Sequence, residues 1–326
     1  MISRNINERI TQSRSRYAEE LSGRWSPFQR LDNSDFSSEE KFRSHIQPPW
    51  EHTSEIPSSL TDSYYSIPQS IPYQPRKRFD DDLRRIAEKY EIQETLSRHL
   101  CLLDDYEIVI LCDDSGSMNT PVDDTNRTRW DELCEIVKIV LEIGVIFNSS
   151  GVDIYFLNRP PMLDVTDSQA INAAFTVPPR GYTPLVASLG YIFRLPITRR
   201  GRDKKVLLFI ATDGAPTDKK GNINVEELEH LMVNVRNTET THVMFLICTD
   251  DPVCVDYLVE WDRRMVNVDV TDDYFTERER IRRFRGQNYP FSRGDYIVKA
   301  LVGAIVPEID NLNNEPEGGE VAPTTD

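Results

Sequence analysis

From Tyr106 onward, short apolar runs alternate with longer stretches whose apolar residues recur every three or four positions. YEIVILC (106–112), VDIYFL (152–157), KVLLFIAT (205–212), THVMFLICT (241–249) and MVNVDV (265–270) read as strands. RWDELCEIVKIVLEIGVIF (129–147), Ser168–Phe175, the residues after Pro184, VEELEHLMVNVRN (225–237), VCVDYLVEWDRRM (253–265) and RGDYIVKALVGAIV (293–306) read as helices. Apolar strands alternating with helices call for a parallel sheet covered on both faces. Right-handed crossovers then restrict the topology to a doubly wound α/β fold with a mostly parallel sheet, expected over residues 105–306. In such sheets ligands sit beyond the carboxyl ends of the strands, near a switch in strand order.

Upstream, Leu83, Ile86, Tyr90, Ile92, Leu96 and Leu100 approximate a helical stripe, so residues 78–104 are expected to form a bracing helix against the domain. Residues 1–77 read as an extended, largely irregular arm. Its 26–75 portion is rich in Ser and Pro, with Phe28, Trp50, Tyr64 and Tyr73 interspersed, and has too few aliphatic residues to fold alone. Such an arm either contacts neighbours in an assembly or serves as a plain linker. Residues 307–326 are acidic, contain Pro and Gly, and are expected to be a disordered tail.

Charge narrows the function classes. The net charge is −16, of which residues 104–306 carry −9, so the domain lacks the basic footprint of a nucleic-acid binder. The basic run RERIRRFR (278–285) is interrupted by acids and reads as a solvated helix face. No stretch approaches twenty apolar residues, so no membrane span is expected. The first twenty residues lack the apolar core of a secretory signal. Their arginines resemble a mitochondrial presequence, but Glu8, Glu19 and Glu20 count against one. Five cysteines without a CxxC pair read as reduced thiols in a cytoplasmic compartment, and the five histidines form no ligand pattern.

The chemistry concentrates in Cys112-Asp113-Asp114-Ser115-Gly116-Ser117-Met118. As Asp-x-Ser-x-Ser it places three small oxygen ligands at alternate positions just past a strand. Magnesium takes six hard oxygens and keeps water where protein ligands are missing. Alone, the segment is equally an ordinary Asp/Ser/Gly turn. Two further segments change that. Gly181-Tyr182-Thr183-Pro184 offers a third hydroxyl before a helix, and Ala211-Thr212-Asp213-Gly214 a second carboxylate at the end of another strand.

These three motifs, in this order and after these strands, resemble the metal-ion-dependent adhesion site of von Willebrand factor A domains. The resemblance covers about residues 105–306 and is greatest to the intracellular branch, through DDSGSM and TDGAPTD. It implies a Rossmann-like fold and a bound Mg2+ or Mn2+ held by Asp113, Ser115, Ser117, Thr183 and Asp213. Ser115 and Ser117 would touch the metal, Thr183 would bind directly or through water, and the two aspartates would act partly through water. One coordination position would remain for an Asp or Glu of a protein partner. Tyr182 departs from the family, where glycine is frequent.

An enzyme is the main rival class. A phosphatase with an aspartyl nucleophile needs Asp-x-Asp, and here the second position is Ser115. No Gly-x-Ser-x-Gly elbow, no histidine placed to act as a base and no GxxxxGK[ST] loop is present. A second rival is a structural subunit of a larger assembly, a scaffold or shell component whose metal site is vestigial or purely structural. The expected function is metal-dependent protein binding without catalysis.

Overall fold

The computed structural model describes residues 76–122, 127–195, 204–249 and 255–313. The arm expected over 1–77 lies outside them, apart from the start of the first helix. Within them, β1 (Tyr106–Cys112), β2 (Val152–Phe156), β3 (Met162–Val165), β4 (Lys205–Thr212), β5 (Thr241–Ile247) and β6 (Val268–Thr271) form one sheet in the order β3-β2-β1-β4-β5-β6. All neighbours pair in parallel except β2 and β3. The chain winds outward from β1 to β3, then crosses back to lay β4 on the other side of β1. This is the doubly wound α/β architecture, and its strand order reverses between β1 and β4.

The helices are α1 (Arg76–Lys89), α2 (Glu94–Ser97), α3 (Arg129–Phe147), α4 (Ile171–Phe175), α5 (Leu185–Ile192), α6 (Val225–His230), α7 (Asp256–Arg264), α8 (Tyr274–Arg285), α9 (Arg293–Val302) and α10 (Pro307–Asp310). Ile108, Ile110 and Cys112 of β1, with Leu207, Phe209 and Ala211 of β4, share a buried cluster with α3 and α9. The alternate residues Val109, Leu111, Leu208 and Ile210 are also buried, so the sheet is covered on both faces. Trp130 and Trp261 are buried.

Local chemistry explains where the elements start. Thr128 caps α3 through a capping box with Asp131, and Ser292 caps α9 through one with Asp295. The Asp273 carboxylate accepts the amides of Phe275 and Thr276 at the start of α8.

Four elements differ from the sequence reading. The bracing helix is broken: α1 ends at Lys89, and Glu91 adopts φ 54° while the Ile92 amide reaches back to the Ala87 carbonyl at 2.9 Å. The apolar stripe slips at this point, since Tyr90 and Ile92 are two apart where a helix needs three or four. A 3-10 turn over Arg98–Asp105 then leads into β1. The antiparallel edge strand β3 was not expected; its Leu163 and Asp164 are exposed, so it lacks an apolar run. The helix expected to 237 passes into a π turn over Leu231–Val235. The tail expected from 307 begins as α10, with Ile309 buried; residues 314–326 lie outside the described part.

The break in the bracing helix is where it is held. Gln93 donates its amide to Asp295 Oδ1 at 2.7 Å and its side chain to Asp295 Oδ2 at 2.9 Å and the Pro290 carbonyl at 2.6 Å. Gly294 lies under this junction, and a methyl group there would run into the Tyr90 carbonyl. Gly294→Ala is therefore expected to cost about 1–3 kcal/mol through overpacking. Thermal denaturation followed by circular dichroism should show a melting point lower by several degrees; an unchanged value would mean that the α1–α2 junction is not packed on α9.

Candidate metal centre

The register of the two central strands assembles the site. Cys112 of β1 stands opposite Ala211 of β4, so Asp113 and Asp213 emerge at the same end of adjacent parallel strands. The Asp113 amide still donates to the Ala211 carbonyl at 2.9 Å, which carries the pairing one residue past β1. Both carboxylates are buried, with exposures of 0% and 2%.

Hydrogen bonds join four of the five candidate ligands into one chain. Asp113 Oδ2 accepts the Thr212 hydroxyl at 2.7 Å, and Oδ1 accepts the Ser115 amide at 2.9 Å. Ser115 Oγ and Ser117 Oγ lie 3.0 Å apart, and Ser117 Oγ donates to Asp213 Oδ1 at 2.7 Å. Arg129, the first residue of α3, donates to Asp213 Oδ2 at 2.9 Å and to the Thr249 hydroxyl at 2.8 Å. Asp213 thus turns one oxygen to Ser117 and the other to a guanidinium.

Thr183 comes to the same place by its backbone. The Gly116 amide donates to the Gly181 carbonyl at 3.0 Å, tying the two loops together. Thr183 exchanges backbone contacts with Thr217: its amide reaches Thr217 Oγ1 at 2.9 Å, and its carbonyl accepts the Thr217 amide at 2.8 Å. Thr183 is buried, and among the described contacts its hydroxyl stands outside the chain that links the other four.

Asp114 supports this arrangement. Its Oδ1 accepts the Asn158 amide at 2.7 Å, its Oδ2 accepts Arg159 Nε at 2.6 Å, and its carbonyl accepts the Arg180 amide at 2.8 Å. Asn158 also donates to the Tyr182 carbonyl at 2.9 Å, while Arg159 lies over the Trp130 ring. Asp114 therefore fastens the loop after β2 through its carboxylate and the loop before α5 through its carbonyl to the loop after β1. Gly181 takes φ 102°, and a side chain there would collide with Asn158.

The electrostatics reflect two acids pressed together out of water. Burial, then the nearby Asp213 charge, pushes Asp113 up to about 7, against the opposing hydrogen bonds from Thr212 and Ser115. Burial also raises Asp114, opposed chiefly by Arg159.

The donor set fits a small hard cation. It consists only of hydroxyl and carboxylate oxygens. In an octahedral magnesium shell with oxygens at about 2.1 Å, neighbouring oxygens lie about 3.0 Å apart. The separations of 3.0 Å between the serine hydroxyls and 2.7 Å from Ser117 to Asp213 are close to that edge.

Sequence reasoning missed three participants. Thr212 adjoins a ligand within the Thr-Asp-Gly segment, and Asp114 adjoins another, so both were within reach. Arg129 meets Asp213 across 84 residues of sequence, and only the fold brings them together.

No family model matches this chain, and no curated protein does. Among solved structures, the pilus adhesin SpaC from Lactobacillus rhamnosus GG matches at 14% identity with a TM-score of 0.35, covering 60% of this chain and 31% of that one. This chain thus spans about a third of the adhesin's length, and a likeness at that score carries no argument about function.

The raised Asp113 pKa gives a signed expectation. The folded state retains a proton that the unfolded chain releases near its ordinary value of about 3.9. The resulting stabilisation is complete below that value and is lost as pH rises to about 7. In chelator-treated protein, Asp113→Asn should flatten the fall in melting temperature between about pH 4.5 and 7.5. Identical slopes for the two proteins would refute the assignment.

Proposed function

We propose that this chain is a protein-binding module that uses a divalent cation, Mg2+ or Mn2+, to recognise an Asp or Glu side chain on a partner. Asp113, Ser115, Ser117, Thr183 and Asp213 would hold the ion, as the resemblance to von Willebrand factor A domains implies. The supporting observation is the continuous hydrogen-bonded chain through Asp113, Ser115, Ser117 and Asp213 at the reversal between β1 and β4. Residues from two separate sequence motifs converge there, and Thr183 of the third lies on a loop tied to them. A bound ion would supply a Lewis-acidic position open to a carboxylate oxygen.

The chain's own residues serve binding better than catalysis. Every group at the site is an oxygen donor or a guanidinium committed to Asp213. No histidine is among the residues that make these contacts. Near the site two apolar side chains face solvent: Tyr182 is 55% exposed and Ile223 is 70% exposed. The Tyr182 ring packs over Gly221, which joins these two loops into one rim. Exposed apolar residues around a polar centre suit a protein contact. Among the described residues no helix is long and apolar enough to cross a membrane.

Calorimetric titration of the full chain with magnesium or manganese should show one saturable site. Ser115→Ala with Ser117→Ala should weaken it by roughly a hundredfold or more, because both direct hydroxyl donors are lost. Affinity capture from a native extract should then yield a partner that chelator releases and the double variant fails to retain. Metal binding unchanged in the double variant would overturn the site. Metal binding without a chelator-sensitive partner would favour a structural role for the ion in an assembly component.

A further inference from the structure

We propose that Asp262, Asp269 and Asp310 form a second site, for a hard divalent cation of the calcium class, on elements that take no part in the first. Asp262 lies on α7, Asp269 on β6 and Asp310 at the end of α10. One carboxylate oxygen from each falls within 4.8 Å of the others. A calcium ion with oxygens at about 2.4 Å has a coordination sphere about 4.8 Å across.

Acidic groups cluster on many surfaces without binding anything, and Asp269 is what distinguishes this cluster. It is 1% exposed, and neither of its carboxylate oxygens receives a hydrogen bond. A buried carboxylate without a donor is among the costliest arrangements a fold can hold. Asp262 Oδ1 is likewise buried without a partner.

The backbone around Asp269 is shaped to receive that carboxylate. Gly303 closes α9, and any side chain at 303 would run into Asp269 Oδ2. The carboxylate therefore rests against the carbonyl end of a helix, where the dipole disfavours an anion and favours a cation.

Lys299 does not account for the cluster. It is wholly buried and lies 3.3 Å from Glu277, which is also wholly buried, so the two neutralise each other. Its charge extends to Asp269 and Asp310, and Arg263 partly offsets Asp262, which still leaves the three aspartates in excess. Burial raises Asp269 well above the ordinary carboxylate range, with Lys299 opposing and Asp310 and Asp262 reinforcing. The competing way to neutralise the cluster is protonation, with a proton held between Asp269 and Asp310. Asp262 and Asp310 are half-buried, so the cluster reaches solvent through them.

The test is independent of the first site. The full chain carrying Ser115→Ala and Ser117→Ala is titrated with calcium alone, by calorimetry and by thermal melting. One calcium per chain is expected, with a melting point that rises with calcium concentration. Asp262→Asn with Asp310→Asn, added to the same chain, should abolish both effects while unfolding stays cooperative. Terbium, which takes the same oxygen ligands, gives a second readout through sensitisation by Trp261, next to Asp262. Absence of binding at millimolar calcium, or binding unaffected by the added asparagines, overturns the proposal and leaves protons as the neutralising agent. Failure of the first site would leave this result unchanged.

Discussion

Two carboxylates, Asp113 and Asp213, are forced together at the ends of adjacent parallel strands, and the surrounding residues counter their repulsion. The core imposes this proximity. β1 and β4 are buried along nearly their whole length and pair from Tyr106↔Lys205 to Cys112↔Ala211. A slip of one residue would turn every side chain to the opposite face, so the register is fixed by packing. The polar residues then accommodate it. The Thr212 hydroxyl and Ser115 amide bind Asp113, while the Ser117 hydroxyl and Arg129 bind Asp213. Arg129 is in place because the capping box of Thr128 and Asp131 starts α3 immediately before it.

The parts legible in the sequence are those governed by short-range periodicity. The five parallel strands announce themselves as apolar runs because both faces of the sheet are covered, and the doubly wound fold follows from their alternation with helices. Four of the five candidate ligands were legible for a related reason: Asp113, Ser115, Ser117 and Asp213 sit within a few residues of a strand end, so strand assignment also locates them, whereas Thr183 stands before a helix. Four of the five are shown to meet, while Thr183 joins through backbone contacts of its loop.

What was not legible depends on meetings across long sequence distances or on a single backbone angle. The helix over 78–104 carries a nearly continuous apolar stripe, yet it breaks where Glu91 takes a left-handed conformation. Nothing in a glutamate signals that, and the gain lies in Gln93 reaching Asp295, 202 residues away. Strand β3 has no apolar run because its Leu163 and Asp164 face solvent at the edge of the sheet. Asp114 was visible in the motif, but its role in fastening three loops depends on Asn158 and Arg159 arriving from β2.

In the proposed function an acidic domain would receive an acidic side chain, and the charge balance at the site gives the reason an ion would be needed. Residues 104–306 carry a charge of −9. A carboxylate brought to about 4 Å from either aspartate meets roughly 4 kcal/mol of repulsion at an effective dielectric constant near 20. A divalent ion would cancel the two aspartates, and Arg129, which lines the same centre, would leave the loaded site with a positive excess. The guanidinium steadies Asp213 when the acids stand alone, and in the proposed function it would also make the loaded centre attractive to an anion. At physiological ionic strength the surrounding acidic field fades beyond about 8 Å, whereas attraction at contact range persists. Selection then rests on short-range fit, which the exposed rim of Tyr182 and Ile223 is placed to provide.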